Sequence, residues 1–333
     1  MRSLLPLLSL GLLLGCDASG PSDDAARTGP PRAMCTVPML SDLVAAVAGN
    51  EVEVDTLLAR GTDPHIYQPT TSDATACRKA DAVFYVGLRL EGALAENLAK
   101  LGDTKPHVVA VGPTLPQDRL ISAGAEQEFD PHVWMDVALW AETIPAIVET
   151  LSAIRPEAAA TFEQNAARLR TRLAALDGYV RDAVATLPEQ RRVMITAHDA
   201  FGYFGQAYGM EVAGVQGVST ESEAGIKDIE NLLARIRQTG IGVVFAESST
   251  SDATVAALVE AAQAEGLELE LGGPLYSDST GPEGTWEGTY IGMVDHNVAK
   301  IVGLLGGDVP NGGFRATEPS QAAGDRASGD GDQ

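Results

Sequence analysis

The stretch from Pro156 to Leu187, PEAAATFEQNAARLRTRLAALDGYVRDAVATL, decides the fold. It opens on proline, which is tolerated in a first helical turn because its missing N–H would have no partner there. Phe162, Leu169, Leu173, Leu176, Val180 and Val184 then recur at helical spacing and make one apolar stripe. At roughly thirty residues the segment far exceeds the usual helix of about a dozen. Such a helix either spans two lobes and fixes their separation or belongs to a bundle. Its neighbours on both sides are α/β in pattern, which favours the spanning role.

Upstream, Ala33–Val37, Val52–Leu58, the continuous apolar run Ala82–Val86, and His107–Val111 read as strands. Helical segments lie between them: a face of Leu40, Leu43, Val44 and Val47 closed by Gly49-Asn50, then Ser72–Lys79 and Glu91–Leu101. Asp136–Ile154 reads as one further helix. Downstream, strands over Arg192–Thr196, Gly242–Ala246 and Leu267–Leu271 alternate with helices over Gly225–Gln238 and Asp252–Glu265, and Thr289–Leu305 is the last helix. The alternation predicts βαβ units. The expected fold is α/β, with two lobes of mainly parallel sheet (residues 33–155 and 188–308) joined by one long helix (156–187). Residues 309–333, rich in Gly, Ala, Asp and Ser, are expected to be a disordered tail.

A chain of 333 residues can bury two cores. Its net charge of -23 opposes nucleic-acid phosphates and suits small cations, or simply solubility. Met1-Arg2 followed by the apolar Leu4–Leu14 is too short for a membrane span and fits a secretory signal. It ends in Leu13-Leu14-Gly15-Cys16, which resembles a bacterial lipobox. That resemblance implies a signal peptide over 1–16, a lipid on Cys16 and a flexible tether over 17–32. A plain signal peptide with an incidental Cys16 is the other reading. Export would place Cys35 and Cys77 where disulfides persist, so they form either a bridge or two buried thiols. Neither has a ligand-type neighbour at metal-site spacing.

Three of the five histidines stand in unusual settings. His65 and His132 each follow an Asp-Pro pair, in Asp63-Pro64-His65 and Asp130-Pro131-His132, where proline and a capping aspartate would start a helix and leave the ring pointing outward. His198 follows the strand-like Val193–Thr196. Glu247 and Asp278 also fall just after predicted strands, where open α/β sheets bind ligands. Two half-sites facing across a cleft would give three imidazoles and one or two carboxylates, a donor set for a first-row divalent metal, zinc or manganese first. Glu247 either completes the coordination or holds a ligand imidazole from behind. His107, at the start of a buried strand, and His296, on the last helix, read as structural and surface residues. Trp134 and Tyr67 are expected to wall the cleft, and Asp199 to cap the helix after His198.

With these residues in view the chain resembles the extracytoplasmic metal-binding receptors of zinc and manganese ABC transporters, the TroA, ZnuA and PsaA type. The resemblance covers about Cys35 to Leu305. Asp63-Pro64-His65-Ile66-Tyr67-Gln68-Pro69 is similar to the first ligand loop and Asp130-Pro131-His132-Val133-Trp134 to the second. Thr196-Ala197-His198-Asp199-Ala200-Phe201-Gly202-Tyr203-Phe204 is similar to the third, and Leu275-Tyr276-Ser277-Asp278 with Gly288-Thr289-Tyr290 to the fourth. It implies two α/β lobes on a long helix, a site of His65, His132, His198 and Asp278, transported zinc or manganese, and a monomer tethered outside the cytoplasmic membrane. It also implies a permease and, through it, an ATPase as partners. Manganese-specific members often carry glutamate at the third position, where His198 stands here, which favours zinc. The stretch 112–128 lacks the histidines that zinc receptors often carry there, which favours manganese. A zinc hydrolase using three histidines and an activated water is the alternative, but no His-Glu-x-x-His or Gly-x-Ser-x-Gly motif accompanies it. Nothing beyond surface exposure suggests an adhesin.

Overall fold

The computed structural model describes residues 29–124 and 129–317. The expected signal peptide, Cys16, the tether up to residue 28 and the tail from residue 318 lie outside the described residues. The chain runs β1 (Arg32–Cys35), α1 (Pro38–Ala48), β2 (Glu53–Thr56), α2 (Thr71–Lys79), β3 (Ala82–Tyr85), α3 (Gly92–Gly102), β4 (Val108–Ala110), α4 (Val137–Ala141), α5 (Ile144–Ile154) and α6 (Ala159–Ala185). It continues through β5 (Val193–His198), α7 (Gly202–Tyr208), β6 (Glu211–Gln216), α8 (Ile226–Thr239), β7 (Val243–Glu247), α9 (Ala253–Ala264), β8 (Glu270–Leu275) and α10 (Tyr290–Leu304).

These strands form two four-stranded sheets, ordered β2-β1-β3-β4 and β6-β5-β7-β8. Every pairing in both is parallel, with Ala33 beside both Val54 and Ala82, and Thr196 beside both Gly214 and Phe245. The two lobes therefore share one topology. In each, the first strand is central and the chain reverses its direction of travel between the first and third strands. A parallel sheet opens a crevice at the carboxyl ends of its strands at that reversal.

Helix α6 follows a 3-10 turn at Pro156–Ala158 and buries Phe162, Leu169, Leu173, Leu176, Val180 and Val184, the stripe expected from spacing, together with Ala166, Tyr179 and Ala183. It packs on α1 and α5 of the first lobe and α10 of the second, so one apolar core runs along it and takes in both Val47 and Ile301. A separate cluster, including Ile195, Val244, Leu233 and Leu258, fills the space between the second sheet and α8 and α9.

Several expectations are corrected. Asp136–Ile154 is two helices, because Pro145 sits in the first turn of α5, where proline is tolerated, rather than inside a continuous helix. The helix expected after His198 is α7, strand β6 was not anticipated, and β8 starts at Glu270 rather than Leu267. Of the two readings left open for the cysteines the structure has the second: Cys35 and Cys77 are buried free thiols packed as small hydrophobes in the shared core. Burial pushes both thiols up, Cys77 to about 11, which disfavours the thiolate that disulfide exchange requires. The tail does not begin at residue 309. Phe314 is buried against Tyr179, and its N–H donates to Asp295 at 2.7 Å.

Candidate metal centre

Each Asp-Pro-His stretch makes the same local turn. The carboxylate of Asp63 accepts from the N–H of His65 at 2.9 Å, and that of Asp130 accepts from the N–H of His132 at 2.9 Å. A short polar side chain thus satisfies the backbone two residues on, while proline fixes the intervening φ. Neither turn starts an α-helix; only a 3-10 turn, Val133–Met135, follows His132. The rings point into the protein instead of outward, at 2% exposure for His65 and 0% for His132. His198 ends β5, whose six residues are all buried, and Asp278 follows β8.

The four side chains meet in one place, with their donor atoms all within 4.8 Å of one another. His132 Nε2 lies 3.3 Å from both His65 Nε2 and His198 Nε2. Asp278 Oδ1 is 3.3 Å from His132 Nε2, and Asp278 Oδ2 is 3.2 Å from His198 Nε2 and 3.9 Å from His65 Nε2. Ligands at about 2.0–2.1 Å in a tetrahedron stand about 3.3–3.4 Å apart. The two imidazole–imidazole spacings match a cage around a single zinc-sized ion, Asp278 comes as near to His132 and His198 through different oxygens, and its approach to His65 is looser.

The polar groups around the cage fit that use. Both oxygens of Asp278 are completely buried and lack a hydrogen-bond partner. An ionised carboxylate left so is costly unless a cation faces it. Behind the rings, Asp130 Oδ1 is 2.7 Å from His132 Nδ1 and Glu247 Oε2 is 2.6 Å from His198 Nδ1. Since a carboxylate only accepts, the hydrogen bond to Asp130 puts a proton on His132 Nδ1 and turns the Nε2 lone pair to the cage, and the negative charge of Glu247 beside His198 Nδ1 favours the same tautomer there. Trp134 packs edge-on against His132 and donates from Nε1 to the carbonyl of Ser277, which pins the loop carrying Asp278.

Without a metal the cage traps protons. Desolvation opposes charge on His132, but Asp130 and Asp278 outweigh it and raise its pKa to about 9. His198 also rises well above the ordinary range, since Glu247 and Asp278 overcome its desolvation. Desolvation would raise Asp278, but the His198 and His132 rings hold it well below the usual carboxylate range. His65 goes the other way, to about 3, chiefly because it is desolvated.

The remaining expected residues fall elsewhere. Glu247 reaches the ring and the N–H of His198 (2.9 Å) from behind, on the side away from Nε2. His107 precedes β4, and His296 points its Nε2 at the carbonyl of Pro274. Tyr67 donates from its hydroxyl to Asp73 in the first turn of α2. Asp199 does not cap α7, whose N-cap is Phe201. Sequence reading missed the contacts that close the cleft. Gly61 N donates to Ser279 Oγ at 2.8 Å, Thr220 Oγ1 donates to Asp63 Oδ2 at 2.6 Å, and Arg60 bonds Thr280 and the carbonyl of Gly288. The repeated Asp-Pro-His could have flagged Asp130; nothing local links Arg60 to a residue 220 positions later.

Comparison with known proteins agrees with this architecture. A family model described as zinc-uptake complex component A, periplasmic (ZnuA) matches residues 34–303. The chain is 44% identical over 299 residues to the zinc-binding protein TroA of Treponema pallidum, covering 90% of this chain and 96% of that one. It is 39% identical over 295 residues to the manganese-binding lipoprotein MntA of Bacillus subtilis, covering 88% and 95%. The solved structure of the periplasmic zinc-binding protein TroA from Treponema pallidum superposes with a TM-score of 0.80, covering 83% of this chain and 99% of that one. With two parallel-sheet lobes on a long helix and a family match over most of its length, the chain belongs to the ZnuA family of periplasmic metal-uptake components.

Proposed function

We propose that this protein captures one divalent transition-metal ion outside the cytoplasmic membrane and delivers it to an ABC importer. His65, His132, His198 and Asp278 hold the ion, and Asp130 and Glu247 orient two of the imidazoles. The observation that carries this reading is the fully buried Asp278 carboxylate, which accepts no hydrogen bond and stands 3.2–3.3 Å from two imidazole nitrogens. The ion is cargo, and no chemistry is done on it. A hydrolase would keep one vertex for water; here Asp278 supplies the fourth donor. Attachment through a lipid on Cys16 and a permease with its ATPase, supported by the lipoprotein and ABC-transporter names of its relatives, complete the proposal together with a monomeric state.

Three imidazoles and the spacings near 3.3 Å favour zinc. Manganese is the second reading, favoured by the similarity to MntA. The test is to strip the protein, offer equimolar zinc and manganese, and measure bound metal and melting temperature. The expected result is one zinc per chain and stabilisation of about 4 kcal/mol at a thousandfold excess over Kd. Manganese bound in preference would reverse the metal assignment, and failure to bind either ion would overturn the receptor reading.

A further inference from the structure

Glu91 is fully buried, and the hydrogen bonds its carboxylate accepts come from outside the four cage residues. Its carboxylate accepts from Thr36 Oγ1 at 2.9 Å, from the N–H of Val86 at 2.7 Å and from that of Gly87 at 3.0 Å. Thr36 directly follows β1, and Val86 and Gly87 directly follow β3. Glu91 therefore ties together the carboxyl ends of the two strands between which the first sheet reverses. The second lobe has a buried glutamate at the matching place. Glu247 ends β7 and accepts from the N–H of His198 at the end of β5.

The turn that Glu91 closes is forced into an unusual shape. Gly87, Leu88, Arg89 and Gly92 all have positive φ, at 76°, 52°, 67° and 43°. For Leu88 and Arg89 that conformation costs of the order of 1 kcal/mol or more each and persists only where the surroundings over-determine it. The turn brings Gly92 flat against the carbonyl of His65, so that a Cβ on Gly92 would lie 2.1 Å from that oxygen. The backbone of a cage residue thus rests on the first residue of α3.

We propose that Glu91 is a positioning residue for the His65 ligand, setting through the 87–92 turn and Gly92 where the His65 backbone sits. One glutamate per lobe then places one histidine: Glu247 by touching His198, and Glu91 by shaping the surface beneath His65. This role for Glu91 rests on the metal-receptor reading above.

The test is a double-mutant cycle on metal-stripped full-length protein, with zinc affinity read by chelator competition at pH 8. That pH lies above the value of about 7 to which burial raises Glu91. Glu91→Gln keeps the size but turns a donor toward backbone N–H groups. It is expected to lower affinity by about 10–100-fold, as loss of an outer partner does. In a His65→Ala background the same change should cost less than about twofold, and in an Asp278→Ala background it should keep its full cost. Wild-type affinity in Glu91→Gln, or an undiminished cost without His65, overturns the positioning role. If Glu91→Gln does not unfold cooperatively, Gly92→Ala takes its place in the cycle, and the same two results would overturn the role. Failure of the wild-type protein to bind zinc would instead sink the receptor reading itself.

Discussion

Alanine in place of His132 is expected to abolish tight metal binding while leaving a folded protein. His132 is the hub of the cage: its Nε2 stands 3.3 Å from two other imidazole nitrogens and from a carboxylate oxygen. Its loss removes one donor outright and leaves the Asp130 carboxylate without its ring partner. The drop in zinc affinity should therefore exceed the roughly 10–100-fold that loss of an outer partner alone costs. The apo protein should lose about 1–3 kcal/mol from the unpaired buried group, short of unfolding. Chelator competition measures the first effect and thermal melting of the apo form the second. His107→Ala, remote from the cage, is the control and should leave affinity unchanged. Retained affinity in folded His132→Ala would remove His132 from the site.

The second large effect is on pH. In the metal-free protein His132 holds its proton up to about pH 9 and His198 is likewise raised well above its ordinary value. An incoming ion must displace those protons, so affinity is greatest above pH 9 and falls as pH falls through it. Each displaced proton contributes about tenfold per pH unit. His65, with its pKa lowered to about 3, is already neutral and adds nothing over this range. An isolated imidazole would place the fall below about pH 6.5; the buried carboxylates move it upward. Zinc titrations between about pH 6 and 9 should show affinity rising throughout, with proton release on binding. A flat response would mean that the rings are not protonated in the free protein.

What the sequence disclosed follows from which signals are local. The α6 stripe is periodic, and periodicity survives folding unchanged. His65, His132, His198 and Asp278 were legible because each sits next to a strand end or a proline turn. Strand β6 was not, because Gly214 interrupts it. A Cβ there would lie 2.3 Å from the N of Asp199, so the glycine serves a close approach that no local pattern announces. Gly272-Gly273-Pro274 has the composition of a turn yet lies within β8, where a Cβ on Gly272 would meet Leu304 and Val243 at 2.8 Å, so the glycine serves close packing. Phe314 is one aromatic in a polar stretch, and its partners Tyr179 and Asp295 belong to α6 and α10. Glu91 resembled any helix-start acid until the strand ends around it were in place.

The central claim is that three imidazoles and one carboxylate hold one ion, and zinc K-edge X-ray absorption on protein loaded with one equivalent addresses it most directly. The expected spectrum has four nitrogen and oxygen scatterers at about 2.0–2.1 Å, with outer-shell scattering from three imidazole rings. A sulfur scatterer at about 2.3 Å, or scattering from fewer than three rings, would contradict it.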